Sequence, residues 1–101
     1  MKISFVSCFF FTQNCEECSL QGFVLDYYKR ILGDKLLIFS FDERLSETEP
    51  LVKTLLAQFN ITEYPSLVIE TKKFGGPQEK EDLKSTLCSN YKIKPIICNE
   101  A

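Results

Sequence analysis

The 101-residue sequence has no histidine, no tryptophan and one methionine. Without an imidazole, a zinc site would have to be built from cysteines alone. Beyond the pair Cys15 and Cys18, the others that could join them, Cys88 and Cys98, sit ten residues apart in a tail rather than at ligand spacing. No metal is expected. An excess of charge of either sign is also missing: 12 Lys+Arg face 14 Asp+Glu, for a net charge of −2. Nucleic acid or an anionic membrane surface would call for clustered basic residues, so neither is expected as a partner. No apolar run approaches the roughly eighteen residues of a membrane span. The run after Lys2 ends in Thr12-Gln13-Asn14 without a small-residue cleavage site, so it reads as a core strand, not a secretion signal. Repeats, low-complexity tracts and linkers are lacking as well. An apolar content of 45% and a charged content of 26% are ordinary for one globular domain with one core.

Five cysteines are present, at positions 8, 15, 18, 88 and 98. The odd count leaves one thiol over, and Cys8, inside an apolar strand pattern, suits a small buried side chain. Cys88 and Cys98 enclose nine residues, and whether they bridge stays open on sequence grounds. A bridge would indicate an oxidising compartment or a hyperthermophilic source. Localisation divides the same way: a native Met1 fits a cytoplasmic protein, whereas a bridged pair fits an extracytoplasmic domain of a larger one.

Residues 3–11 are almost continuously apolar, as in a strand covered on both faces, and Phe9-Phe10-Phe11 reads as core. From Cys18 onward, Leu20, Phe23, Val24, Tyr27, Tyr28, Ile31 and Leu32 recur at spacings of three and four. That spacing predicts a helix with this stripe buried and with Gln21, Asp26, Lys29 and Arg30 mostly opposite. Gly33 caps it. Residues 36–41 form a second strand, parallel to the first across the helix. A second helix is predicted over 48–59, with Pro50 at its start and Asn60 as its cap. Residues 61–65 connect it to a strand over 66–70. A turn then leads to a short strand at Lys73-Phe74, which Gly75-Gly76-Pro77 breaks. A surface helix over 78–87 completes a domain spanning 1–87. The tail, 88–101, either packs back on that domain or leads out of it.

The chain therefore reads β-α-β-α-β-β-α, with Cys15-x-x-Cys18 at a helix start, Tyr64-Pro65 before the third strand and a Gly pair after the last hairpin. In these features it resembles the thioredoxin-like superfamily over residues 3 to about 87. The resemblance implies an α/β three-layer fold with a four-stranded mixed sheet in the order 2-1-3-4, helices on both faces, and a cis Tyr64–Pro65 bond facing the cysteine pair. It assigns Cys15 as nucleophile and Cys18 as resolving thiol. Pro65 would shape a groove where a substrate backbone pairs, with Asn14 and Tyr64 as neighbouring contact positions. There are departures. Phe9 stands where thioredoxins carry a buried proton-transfer acid, Asn14 replaces the Trp before the first cysteine, and Glu16-Glu17 replace Gly-Pro. The imidazole that activates the nucleophile in disulfide isomerases is absent.

A helix start also favours a thiolate in its own right, through unpaired N–H groups and the positive end of the dipole. Glu16 and Glu17 pull two ways. As first-turn acids they stabilise the helix by about 0.3–1 kcal/mol each, and as charges near a developing thiolate each disfavours it by roughly 0.5–2 kcal/mol. The expected function is a thiol-disulfide oxidoreductase acting on protein disulfides, reductant-leaning, monomeric, without a bound cofactor, and recycled by a redox partner. The alternative is an interaction or redox-sensing domain whose disulfide does not turn over.

Overall fold

The structure is a computed structural model that describes residues 5–99. The expected start of the first strand, Ile3 and Ser4, and the end of the tail, Glu100 and Ala101, lie outside the described residues. In chain order the elements are β1 (Val6–Thr12), α1 (Glu16–Leu32), β2 (Leu36–Asp42), α2 (Pro50–Gln58), β3 (Ser66–Ile69), β4 (Lys72–Gly75) and α3 (Lys80–Ser89). Short 3-10 turns occupy Gly33–Lys35, Glu43–Leu45 and Ile96–Asn99. The four strands form one mixed sheet in the order β2-β1-β3-β4. β1 runs parallel to β2 and antiparallel to β3, and β4 returns antiparallel to β3. The topology is thioredoxin-like.

Helix boundaries differ from the sequence expectation by about two residues. α2 begins at Pro50, which takes the first helical position where a missing N–H costs nothing. α3 starts after Glu79 and continues through Cys88 to Ser89. Asn60 follows α2 at φ 52°, a left-handed conformation that asparagine tolerates.

The unbroken apolar run of β1 follows from its central place. Val6, Cys8 and Phe10 belong to a core with Leu25, Tyr28 and Leu32 of α1 and Leu83 and Leu87 of α3. Phe9 and Phe11 point to the other face, where both rings meet Phe41 and the α2-terminal Phe59. Both faces are covered, so no polar alternation is needed.

The buried stripe of α1 matches the one the spacing suggested only in part: Tyr28 and Leu32 are buried and Val24 packs on the core, but the rest of the expected set is not inside. Cys18, Gln21, Leu25, Tyr28 and Leu32 face the core, whereas Leu20 is 55% and Phe23 is 70% exposed, and Tyr27 and Ile31 are exposed too. Two apolar stripes offset by one residue share this helix. Cys18, only 3% exposed, must lie against the sheet to pair with Cys15, and that fixes the rotation. Gln21, expected on the polar side, is consequently 2% exposed, with its amide fully engaged.

Polar ties close the periphery. The Tyr28 hydroxyl donates to the Lys80 carbonyl (2.6 Å), joining α1 to α3. The Tyr91 hydroxyl donates to the Lys35 carbonyl (2.6 Å), and Ile97 and Cys98 pack on the core, so the tail returns to the domain. Lys29 Nζ donates to the carbonyls of Gly33 and Leu36 across the turn that Gly33, at φ 56°, makes after α1. Cys88 and Cys98 are bonded to each other, and Cys8 is free and fully buried.

Burial pushes the Cys8 thiol up to about 12. Burial, then Glu81 and Tyr27, push the Tyr28 phenol to about 12, and burial followed by Glu70 does the same for Tyr91. The unfolded chain releases these protons from about 9.0 for the thiol and 10.0 for the phenols, before the folded chain does. Their contribution to stability is therefore fully present below about pH 9 and is lost as pH rises toward about 12. Urea denaturation at stepped pH is expected to show a level plateau followed by a fall over that window. Tyr91→Phe should make the fall shallower, and stability that stays level to the top of the window would contradict the assignment.

Candidate redox site

Cys15 is the N-cap of α1, with extended backbone angles (φ −142°, ψ 151°), and its Sγ accepts a hydrogen bond from the Cys18 N–H at 2.9 Å. A sulfur thus holds the place that Ser, Thr or Asp usually takes, satisfying one of the four orphan amide donors. Upstream, Gln13 and Cys15 close a turn through Cys15 N–H to Gln13 C=O (2.9 Å), which leaves Asn14 exposed beside the pair. Cys15 and Cys18 are joined in a disulfide with Cα atoms 5.1 Å apart. Cys15 is half-buried and Cys18 buried, so the first sulfur is the accessible one. Glu16 and Glu17 are exposed in the first turn.

Strand register gathers the remaining candidates. Phe11 lies opposite Ser66, Ser66 opposite Gly75, and Thr12 opposite Asp42. One edge of the sheet, where β1 and β2 end, therefore carries the cysteine loop, Tyr64-Pro65, Gly75-Gly76 and Asp42–Leu45. This is where parallel αβ units leave a crevice. The Tyr64–Pro65 bond is cis, as the resemblance implies. Tyr64 is half-buried, and its phenol is raised by burial and then by Glu43. The Ser66 hydroxyl, itself buried, donates to the Glu63 carbonyl (2.6 Å) and ties down the loop before β3. At the mouth of β2, Arg44 donates through Nε to Asp42 Oδ1 and through Nη2 to Oδ2, and these bonds hold the Asp42 carboxyl below its usual range.

Two residues at this edge had no functional reading in the sequence. A Cβ on Gly75 would run into the Glu63 carboxylate, so glycine there lets Glu63 lie across the end of β4. Nothing in the sequence marks Glu63 for that contact. Gln21 accepts from the Gln78 N–H (2.6 Å) and donates to the Gln78 carbonyl (3.2 Å), fastening Pro77–Glu79 to α1. Its signal was present: Cys18, Gln21, Leu25, Tyr28 and Leu32 keep helical spacing from the second cysteine of the pair. Between α1 and that loop lies a cleft of about 270 Å³ whose walls include Leu20, Val24, Pro77, Glu17 and Glu79.

Other candidates lie elsewhere. The Cys88–Cys98 bridge joins the end of α3 to the tail, whose Ile97 shares a small hollow with Leu32 and Lys35 at the far end of α1. Phe9 is boxed by Phe39, Phe41 and Phe59 at ring distances of 5.6, 5.5 and 5.9 Å. That position on β1 therefore presents an aromatic edge rather than a proton carrier.

No protein-family model and no curated protein matches the sequence. Solved structures do match it in shape. A malarial protein superposes with a TM-score of 0.70 at 15% identity, over 86% of this chain and 98% of the other. Thioredoxin-2 of the malaria parasite, described as a component of its protein secretion machinery, gives 0.67 at 15% identity over 85% and 84%. Chloroplastic thioredoxin z gives 0.66 at 14% identity over 83% and 76%. At these identities the likeness shows the fold: thioredoxin-like, with a CxxC disulfide at a helix N-terminus.

Two outcomes are expected from this geometry. In the fully reduced native protein, iodoacetamide followed by mass spectrometry should modify Cys15 first and leave Cys8 untouched until the chain is unfolded; early labelling of Cys8 would contradict its burial. Gln21→Ala strands the amide and carbonyl of Gln78, so chemical denaturation should show a loss of about 1–3 kcal/mol.

Proposed function

We propose, from the thioredoxin-like fold as premise, that the chain is a thiol-disulfide oxidoreductase that exchanges disulfides with protein substrates through Cys15 and Cys18. The observation that carries this reading is the pairing of an accessible sulfur, capping α1 beside open sheet edge, with a buried second sulfur one turn away. In the reduced protein the Cys18 N–H and the helix N-terminus would stabilise a Cys15 thiolate.

The exchange then proceeds in two displacements. The Cys15 thiolate attacks one sulfur of the substrate disulfide, the S–S bond breaks, and the other substrate sulfur leaves as a thiolate. Cys18 loses its proton and attacks Cys15 Sγ in the resulting mixed disulfide, which releases the second substrate thiolate. The substrate gains two electrons and two protons, and the protein is left with the Cys15–Cys18 bond. A redox partner returns it to the dithiol. Tyr64 and Pro65, at the same sheet edge, are placed to border the substrate strand, and Asn14 flanks the attacking sulfur.

Glu16 and Glu17 set the direction. Their carboxylates oppose thiolate formation and so favour the disulfide, which makes the reduced form the stronger reductant. Both are exposed, so solvent screening keeps the effect modest. A couple more negative than about −180 mV against glutathione is expected. The double variant Glu16→Gln/Glu17→Gln should move it upward by about 10–30 mV. A wild-type value above that limit, or no shift in the double variant, argues against a reductant tuned by these acids.

Turnover is the direct test. With a protein disulfide and a recycling dithiol, Cys15→Ser should fall to background, whereas Cys18→Ser should accumulate the mixed disulfide. Full activity in Cys15→Ser would sink the mechanism. Phe9 bears on a second reading, because it puts a ring, packed against Phe41 and Phe59, where a carboxylate would assist proton transfer from Cys18. Under that reading the disulfide is a sensor, and wild type would show alkylation of Cys15 on reduction but no turnover.

A further inference from the structure

We propose that two copies of this chain pair antiparallel along β2, about a two-fold axis through Phe39, joining two four-stranded sheets into one. This departs from the monomer expected from sequence, and it is independent of the redox reading. β2 is the edge strand of the order β2-β1-β3-β4, with no described strand beyond it. Its sequence, Leu-Leu-Ile-Phe-Ser-Phe-Asp, has no Lys and no Pro, two of the usual devices that blunt a free edge. In mid-strand Phe39 is 46% exposed: it packs on Phe9 toward the core and leaves its outer side open.

Charge selects both the occupant and the register. Side chains alternate between faces, so an antiparallel two-fold pairing must centre on a residue. Centred on Ile38, it would set Asp34 against Asp42 of the other copy. Centred on Ser40, it would set Glu43 against Leu37 and Arg44 against Leu36. Centred on Phe39, it brings Lys35 and Glu43, the residues that flank β2 on either side, toward each other twice by symmetry. The ion pairs among the described residues are Arg30–Asp26 and Arg44–Asp42, which leaves Asp34, Lys35 and Glu43 without one. On the shared face, the Phe39 register brings the two Phe39 rings together, with Leu37 of each copy opposite Phe41 of the other. A second copy of the same strand therefore supplies both the apolar cover and the opposite charges.

The ladder is short. The Leu36 carbonyl is already taken by Lys29 Nζ (2.6 Å), so pairing centres on Leu37 to Phe41. Such an interface falls below the about 1,200 Å² of standard complexes, and the dimer is reversible and concentration-dependent.

Sedimentation equilibrium of the full chain from micromolar to millimolar concentration tests this. Wild type is expected to pass from monomer to dimer over that range. Phe39→Lys, at a half-exposed position, should weaken the dimer about tenfold or more, equivalent to about 1.4 kcal/mol. Lys35→Glu should weaken it as well, by placing a carboxylate opposite each Glu43, and adding Glu43→Lys should restore most of the loss. The proposal is overturned by a wild type that stays at 11.7 kDa throughout. It is equally overturned by a dimer indifferent to Phe39→Lys, or by a double charge variant no tighter than Lys35→Glu alone.

Discussion

The hydrogen bond from the Cys18 amide to the Cys15 sulfur, at 2.9 Å, governs more of this molecule than its size suggests. It makes Cys15 the cap of α1 and starts the helix at Glu16. With the disulfide, it holds Cys18 against the sheet. Once Cys18 is buried, a rigid helix has one rotation left, and Gln21, Leu25, Tyr28 and Leu32 must follow it inward. Leu20 and Phe23, though more apolar than Gln21, are left outside. The site thus dictates the packing of the longest helix.

That rotation has a consequence at the other side of the edge. A buried glutamine is costly unless both ends of its amide are used. Gln21 meets the condition by gripping the Gln78 peptide, and so draws the loop after β4 onto α1. The Ser66 bond to Glu63 anchors the loop before β3 in a similar way. Three segments far apart in sequence become walls of one sheet edge, each held by a backbone-directed hydrogen bond. The charges left there are mainly carboxylates, with Arg44 committed to Asp42.

The lateral edge of the sheet, along β2, is governed by hydrophobicity and pairing. Phe9, Phe39 and Phe41 form an aromatic surface continuous with Phe11 and Phe59 beneath α2, and it runs out to β2, where coverage stops. Phe9 contributes to this surface where a proton-transfer acid would otherwise stand. One residue, Phe9, thus joins β1, β2 and the end of α2 through ring contacts with Phe39, Phe41 and Phe59.

Element order and the strand-helix position of Cys15 and Cys18 were legible in the sequence, because each rests on local chemistry. An apolar run of strand length, a glycine after a helical period and a proline before a strand constrain only their neighbours. The cis bond at Pro65 was legible through the family resemblance alone. The burial of Gln21, the exposure of Phe23 and the contact of Glu63 with Gly75 were not. They depend on how a helix is rotated, or on which residues strand register brings side by side, and two stripes offset by one position are nearly equivalent to a periodicity argument. Residue order and local chemistry place the cysteine pair at the junction of β1 and α1 and set the elements that flank it. Which helix face is buried, which loops wall the pair and which strand edge stays open follow from packing, because these depend on contacts between residues dozens of positions apart.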